Sequence, residues 1–256
     1  MTAAILITAR LGSRRLSRKQ LLLVNERPLL QYLIDRIRTE FKAEIGKKQA
    51  KLAIATSVEP ENKDFEQFAN EEVSVFYGSS TNVPLRHLQA ARHYSADAVL
   101  SVDGDDILCS TRGMRSVYNA LSEGAKYVKT VNLAFGLNSR GYATHFLQSC
   151  LSGRESDVLE TGWDRVLKES DVTIKEFTSA VDHSKLRFTL DYKEDFDFFK
   201  AVILALGERV GVAADDEIVD FVISNNLDRI NQGLHETYWQ EFYGNVDKET
   251  AHSAKR

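Results

Sequence analysis

The 256-residue sequence predicts an α/β protein with three layers, α/β/α, around a mostly parallel sheet. Two observations carry that expectation. Short apolar runs of the kind needed by strands buried on both faces recur through the first half of the chain. Between them lie longer segments whose apolar residues repeat at helical spacing, and this alternation implies right-handed βαβ crossovers.

The first run is Ala3-Ala4-Ile5-Leu6-Ile7-Thr8-Ala9, a strand that empties into the polar, basic segment 10–19. After a short apolar run, Leu21–Val24, and the turn Asn25-Glu26-Arg27, Pro28 suits a first helical turn, where its missing N–H is not needed. Leu29, Leu30, Leu33, Ile34 and Ile37 then mark an amphipathic helix over 28–41. Strands are expected at 52–56, 73–77 and 98–102, with helices at 59–69 and 84–94 between them. A helix over 112–123 and a strand at 127–131 follow. The pattern loosens from Asn132 to Leu186, where Gly136, Gly141, Gly153 and Gly162 punctuate mixed segments. There a helix is expected near 161–169 and a strand at 173–178, and the stretch 132–186 reads as a small irregular insert. Order returns with a strand at Leu186–Leu190 and helices at 192–206 and 215–225. One domain is expected over 1–244, and residues 245–256, polar and aperiodic, read as a flexible tail.

Composition narrows the partners. Hydrophobic residues make up 43% and charged residues 27%, ordinary for a water-soluble domain. The net charge of -4 argues against a general nucleic-acid or membrane-surface binder, so the cations at 10–19 stand out as local. No stretch approaches the ~18 apolar residues of a membrane helix. Cys109 and Cys150 show no metal-ligand spacing, and Met1-Thr2 runs straight into the first strand, so a reduced, cytoplasmic location is expected. His87, His93, His145, His183, His235 and His252 are scattered without a zinc-binding pair, and Trp163 and Trp239 read as packing residues. No G-x-S-x-G, Walker or G-x-G-x-x-G motif is present.

Chemistry concentrates at strand ends. Arg10, Arg14, Arg15, Arg18 and Lys19 surround Gly12 and Ser13 in a loop between a strand and a helix, the place where α/β sheets bind phosphates. Backbone N–H groups at Gly12 and Ser13 suit a nest for anionic oxygens. A solvated basic surface loop explains the charge equally well. Asp103-Gly104-Asp105-Asp106 follows the 98–102 strand, and carboxylates there suit Mg²⁺, although Asp and Gly also favour turns for local reasons. Asp191 and Glu194 have the spacing of a helix cap and its partner, which competes with a metal role for Asp191. Together these groups point to Mg²⁺ and a nucleoside triphosphate, with nucleotidyl transfer as the fitting reaction.

Ala9-Arg10-x-Gly12-Ser13-x-Arg15-Leu16-x-x-Lys19 resembles the A-R-x-G-S-x-R-L-P-x-K opening of the cytidylyltransferases that make CMP-activated sugars, among them the CMP-sialate and CMP-3-deoxy-octulosonate synthetases. The chain is most similar to the branch named for spore-coat polysaccharide biosynthesis protein F. Glu26-Arg27-Pro28-Leu29-Leu30 resembles its G-K-P-L-L step, and Phe76 to Arg86 its F-x-G-S-x-x-x-V-L-x-R segment, with one extra residue before Leu85. Gly104 to Cys109 resembles G-D-C-P-L-I, and Thr189 to Asp195 resembles T-V-D-x-P-E-D. Ser17, Ile107 and Lys193 stand where the family has proline, Arg18 where it has a small residue, and Ala143 where an acid is usual.

The resemblance implies a Rossmann-like nucleotidyltransferase fold and a Mg²⁺-dependent transfer of CMP from CTP to an acidic, ulosonic-acid-like sugar for surface polysaccharide synthesis. Another nucleotide, a phosphorylated acceptor, or a binding protein without turnover are the alternatives. Carried onto this sequence, it assigns the nucleotide to Ala9, Arg10, Leu11, Gly12, Ser13, Arg15, Lys19, Asp103 and Gly104, with Thr56, Gly78 and Ser79 for the pyrimidine. Catalysis falls to Arg10, Arg15, Lys19 and Asp105, and Mg²⁺ to Asp105 and Asp191. A homodimer through 132–186 is a family expectation.

Overall fold

The structure, a computed structural model, describes residues 1–13, 15–177, 183 and 185–253. In chain order its strands are β1 (Ala3–Thr8), β2 (Leu23–Val24), β3 (Arg27–Pro28), β4 (Ala50–Ser57) and β5 (Val73–Gly78), then β6 (Ala98–Asp103), β7 (Tyr127–Val131), β8 (Arg140–Ala143) and β9 (Val172–Glu176). Its α-helices are α1 (Leu29–Glu40), α2 (Lys42–Gly46), α3 (Val83–His93) and α4 (Thr111–Ser122), followed by α5 (Thr144–Leu151), α6 (Lys193–Leu206), α7 (Asp215–Ser224) and α8 (His235–Ser253). β2 and β3 form a small hairpin.

The main sheet has seven strands in the order β5-β4-β1-β6-β8-β7-β9. β1 is parallel to both neighbours, with Thr8 opposite Ala55 on one side and Asp103 on the other. The chain builds outward through β4 and β5, then returns to lay β6 on the opposite flank of β1. The strand order therefore reverses at β1/β6, and the carboxyl ends of these two strands mark the position of the ligand crevice in open α/β sheets. β8 alone runs antiparallel, between β6 and β7.

Alternation along the strands feeds two faces. Ile5, Ile7, Leu52, Ile54 and Leu100 pack with Leu33, Ile37, Met114 and Val117 of α1 and α4. Ala4, Leu6, Ala53, Ala55 and Val99 face Leu88, Ala91, Phe146 and Leu147 of α3 and α5. Each fully buried Leu or Ile contributes about 1.5–3 kcal/mol, so these faces fix the strand order before any polar group acts. A third cluster, with Leu108, Leu137, Phe188, Phe198, Phe199 and Ile203, roofs the carboxyl side of β6 and carries the segment leading to Asp191.

In the second half of the chain α6 and α7 fall where the sequence places them, while the segments around them differ from its reading. Residues 132–186 supply β8 within the main sheet and β9 at its edge, and β9 ends at Glu176, where the expectation ran on to the undescribed Thr178. The helix expected at 161–169 is two short 3-10 turns, Trp163–Val166 and Glu169–Asp171, entered through Gly162 in the left-handed region. Leu186–Leu190, expected as a strand, makes one bridge, Phe135 with Arg187. It crosses over the strand ends, with the Phe188 N–H donating to Phe135 O at 2.7 Å and the Leu190 N–H to Asp105 O at 3.0 Å. Gly136 permits that approach, since a Cβ there would lie 2.3 Å from Phe188 O. Residues beyond 244, expected as an aperiodic tail, continue α8 to Ser253.

Candidate active site

The crevice is built by three backbone segments. After β1, the Leu11 N–H donates to Asn62 Oδ1 at 2.9 Å and the Leu11 side chain is buried, which pins the start of the loop. Gly12 is exposed, and an added Cβ there would make ordinary contact with Glu61 Oε1 at 3.4 Å, so the backbone around Gly12 and Ser13 stays approachable. Arg18 adopts the left-handed conformation (φ 53°) and its N–H closes the loop onto Leu11 O at 3.3 Å, while its guanidinium pairs with Asp64. A 3-10 turn at Lys19–Leu21 then drives Lys19 inward.

The second segment follows β6. The Gly104 N–H donates to Thr8 O at 2.8 Å, and a Cβ on Gly104 would sit 2.8 Å from Ala9 Cβ. Only glycine lets the two loops touch in this way. The third segment is Leu190-Asp191, held over the crevice by the bond from Leu190 to Asp105.

These segments converge on Lys19. Its Nζ donates to Asp105 Oδ2 at 2.7 Å and to Asp191 Oδ1 at 3.0 Å, with the lysine side chain 8% exposed. Arg15 Nη2 reaches the same Asp191 oxygen at 2.5 Å, and Arg187 Nη2 donates to Asp191 Oδ2 at 3.0 Å. Burial by itself lowers the Lys19 pKa, but Asp105 and Asp191 reverse that and hold the ammonium charged. Burial likewise raises Asp191, yet Lys19, Arg15 and Arg187 outweigh it, and the carboxyl lies below its usual range. The competing cap role goes elsewhere: Asp195, not Asp191 with Glu194, accepts the Tyr192 N–H at 3.0 Å.

The neighbouring carboxylates carry the opposite strain. Burial, then repulsion from Asp105, pushes Asp103 up to about 6, and burial with repulsion from Asp105 and Asp103 raises Asp106. Added positive charge at this edge relieves that repulsion. Asp105 suits a hard cation: one oxygen is on Lys19, the side chain is 27% exposed, and the other oxygen accepts no hydrogen bond among those of the described residues. Asp191 fits such a role less directly, because its two oxygens already accept from Lys19, Arg15 and Arg187. No group of three or more His, Cys, Asp or Glu side chains among the described residues gathers as a ready-made metal site, so a cation held on Asp105 would need further ligands from outside the chain.

The remaining predicted residues line the other flank. Thr56 is buried in β4 opposite Tyr77, with Ser57 opposite Gly78, and Thr56 Oγ1 has no hydrogen-bond partner among the described residues. An added Cβ on Gly78 would meet Arg86 Cγ at 2.8 Å, and the Ser79 carbonyl accepts from Arg86 Nε at 2.8 Å. Arg10 does not join Lys19. It pairs with Glu160 and helps lower buried Arg86 to about 10, after desolvation, which is the larger cause. The predicted set therefore splits: Arg15, Lys19, Asp105 and Asp191 meet, while Arg10, Thr56, Gly78 and Ser79 lie on the β4/β5 side.

Sequence reading missed Arg187, Tyr238 and Glu241. A lone arginine in the apolar run Leu186-Arg187-Phe188 was the available signal for the first. Tyr238 and Glu241 sit on α8, whose polar, weakly periodic sequence gave none. His87 was also passed over. Its Nε2 lies 2.7 Å from Thr8 Oγ1 at the end of β1, its Nδ1 pairs with the Tyr142 hydroxyl, and burial drives its pKa down to about 3.

Comparison with known proteins places this geometry in context. The family model described as cytidylyltransferase matches residues 4–209. An uncharacterized protein of Methanocaldococcus jannaschii is 26% identical over 245 residues, covering 92% of this chain and 97% of its own. Among solved structures, a cytidylyltransferase from Leptospira borgpetersenii superposes with a TM-score of 0.73 at 20% identity, covering 89% of this chain and 96% of that one. A CMP:2-keto-3-deoxy-manno-octonic acid synthetase complexed with CTP gives 0.58 at 14% identity, over 80% of this chain and 99% of that one. The 4-diphosphocytidyl-2C-methyl-D-erythritol synthase of Anaerococcus prevotii gives 0.55 at 16% identity, over 79% and 96%. These likenesses show the fold, a Rossmann-like nucleotidyltransferase.

Proposed function

The chain belongs to the cytidylyltransferase family, and from that premise we propose that it transfers CMP from CTP to an acidic, ulosonic-acid-like sugar, releasing pyrophosphate. The observation that carries this reading is the meeting of Lys19, Arg15, Asp105 and Asp191 at the strand-order reversal, beside the open backbone at Gly12 and Ser13. A triphosphate laid along that loop finds backbone donors at Gly12–Ser13 and cations at Arg15 and Lys19. Arg10, with Thr56, Gly78 and Ser79, then takes the nucleoside side. In the CMP:2-keto-3-deoxy-manno-octonic acid synthetase the same fold is seen complexed with CTP, which supports CTP here.

Asp105 would hold Mg²⁺, which when bound would supply charge neutralisation at the triphosphate. Asp191 serves first as the anion that fixes Lys19, Arg15 and Arg187, and becomes free for a cation only as Lys19 or Arg15 turns to phosphate. The chain's own contribution is positioning. Lys19 is held charged by its two carboxylates, and Gly104 brings the Asp105 loop against Ala9 so that metal and phosphate sites share one edge. We assign the acceptor to the side covered by 132–186, the segment we also propose for a homodimer contact. A cytoplasmic setting and a place in surface-glycan synthesis, as in the spore-coat protein F branch, complete the reading.

Pyrophosphate release by purified protein with CTP, ATP, GTP and UTP, against a panel of acidic sugars, tests it. Release with CTP alone is the expected result. Release with another nucleotide, or only with phosphorylated acceptors, moves the chain to a different branch. CTP binding without release on any acceptor makes it a binding protein.

A further inference from the structure

Helix α8 lies beyond the residues matched by the family model, which end at 209, yet it closes over the cation cluster. Glu241 Oε2 accepts from Arg15 Nη1 at 3.2 Å and from the Tyr192 hydroxyl at 2.7 Å. The Arg15 guanidinium is sandwiched between the rings of Tyr192 (5.2 Å) and Tyr238 (5.4 Å), and Tyr238 also covers Arg187 at 4.7 Å. The helix is anchored further on. Phe242 fills the space over Gly162, where an added Cβ would approach it to 3.1 Å, and Glu249 accepts from the Thr161 N–H at 2.9 Å. α8 is thus seated on both flanks of the crevice.

The two α8 side chains that touch Arg15 act on it differently. A ring stacked on a guanidinium fixes its plane without occupying its N–H donors. A carboxylate does occupy a donor, and it places negative charge where an anionic ligand of Arg15 has to approach. One terminal nitrogen of the Arg15 fork, Nη2, is committed to Asp191, and Glu241 sits on the other, Nη1, where an anion would otherwise pair.

We propose that α8 is a working part of the nucleotide site: Tyr238 is a positioning residue that clamps Arg15, and Glu241 is a placeholder carboxylate that the anionic oxygens of the nucleotide displace. The proposal rests on the reading that Arg15 binds the triphosphate. It makes an unusual demand of sign. Glu241 also holds Tyr192, so if α8 were only a structural brace, removing either Glu241 or Tyr238 would loosen the same contacts and weaken CTP together. A placeholder and a clamp give opposite changes.

Titration calorimetry with CTP and Mg²⁺, on full-length protein, reads this without an acceptor. Glu241→Gln is expected to tighten CTP by about two- to fivefold, the range of one partly exposed ion pair. Tyr238→Leu is expected to weaken it by about five- to tenfold, and Tyr238→Phe, which keeps the ring, to restore the parent affinity. Arg15→Ala separates the two layers of the argument: it weakens CTP and erases the effect of Glu241→Gln in the double variant. If Arg15→Ala leaves affinity unchanged, or the parent binds no CTP, the assignment of Arg15 to nucleotide falls and the proposal with it. If Arg15→Ala weakens binding but Glu241→Gln weakens it too or changes nothing, only the placeholder role is overturned. Thermal melts confirm that each variant is folded, and Tyr238→Phe carries the clamp test should Tyr238→Leu fail to fold.

Discussion

Two sets of ion pairs leave the same loop and differ mainly in burial. Lys19 and Asp191 meet with side chains 8% and 3% exposed, whereas Arg18 and Asp64 meet at 48% and 49%. At the surface such a pair gains little over water, and its geometry says only that opposite charges were nearby. Inside, desolvation has to be met by several partners at once, which Asp191 finds in Lys19, Arg15 and Arg187. Charge clusters in a sequence are therefore ambiguous, and burial at a strand end separates a cation held by several carboxylates from a solvated one.

The largest expected break in this contrast is Asp191→Ala. It leaves Lys19 and Arg187 buried with fewer counter-charges, and urea unfolding should show a loss of about 3–5 kcal/mol. A smaller effect comes from His87, buried beneath the same strand end but neutral. Its folded pKa of about 3, set by burial and then by Arg86 and Arg140, is below its unfolded value near 6.5. The unfolded state therefore binds a proton first as pH falls. Stability is unaffected by this group above about 6.5 and falls as pH drops toward about 3, the loss amounting to about 2 kcal/mol at pH 5. Unfolding free energy measured across pH for the parent and His87→Phe should differ in slope across that window, with the parent the steeper. The smallest effect belongs to the exposed pair. Asp64→Asn should change stability by no more than about 1 kcal/mol in the same urea assay, and a larger loss would erase the contrast.

The same distinction explains what was legible in the sequence. β1, β4 and β6 announce themselves as apolar runs because both faces are buried, the half-buried edge strand β5 does so through Val73, Val75 and Phe76, and the loops after β1, β5 and β6 carry motif residues. β8 did not, since Arg140-Gly141-Tyr142-Ala143 is short and holds a charge and a glycine; its pairing with β6 and β7, under Val117 and Leu121 packed against Gly141, makes it a strand. The segment 186–190 has strand composition but spends its backbone groups on Phe135 and Asp105, long-range partners that no local pattern records. Asp191 could be read as a cap from spacing alone; Asp195 took that role because Arg187 draws it inward, with Nε at 2.8 Å from Asp195 Oδ1. Helix α8 escaped notice because its face is defined by Arg15, Tyr192 and Gly162, residues far away in sequence.

The central claim is that the loop after β1 and the carboxylate after β6 form one catalytic edge. Asp105→Asn tests it most directly, because it keeps the shape and a hydrogen-bond acceptor for Lys19 while removing the charge. Pyrophosphate release from CTP, with the acceptor on which the parent is active, should fall at least about a hundredfold while the protein still melts cooperatively. Turnover at the parent rate in that variant would contradict the account.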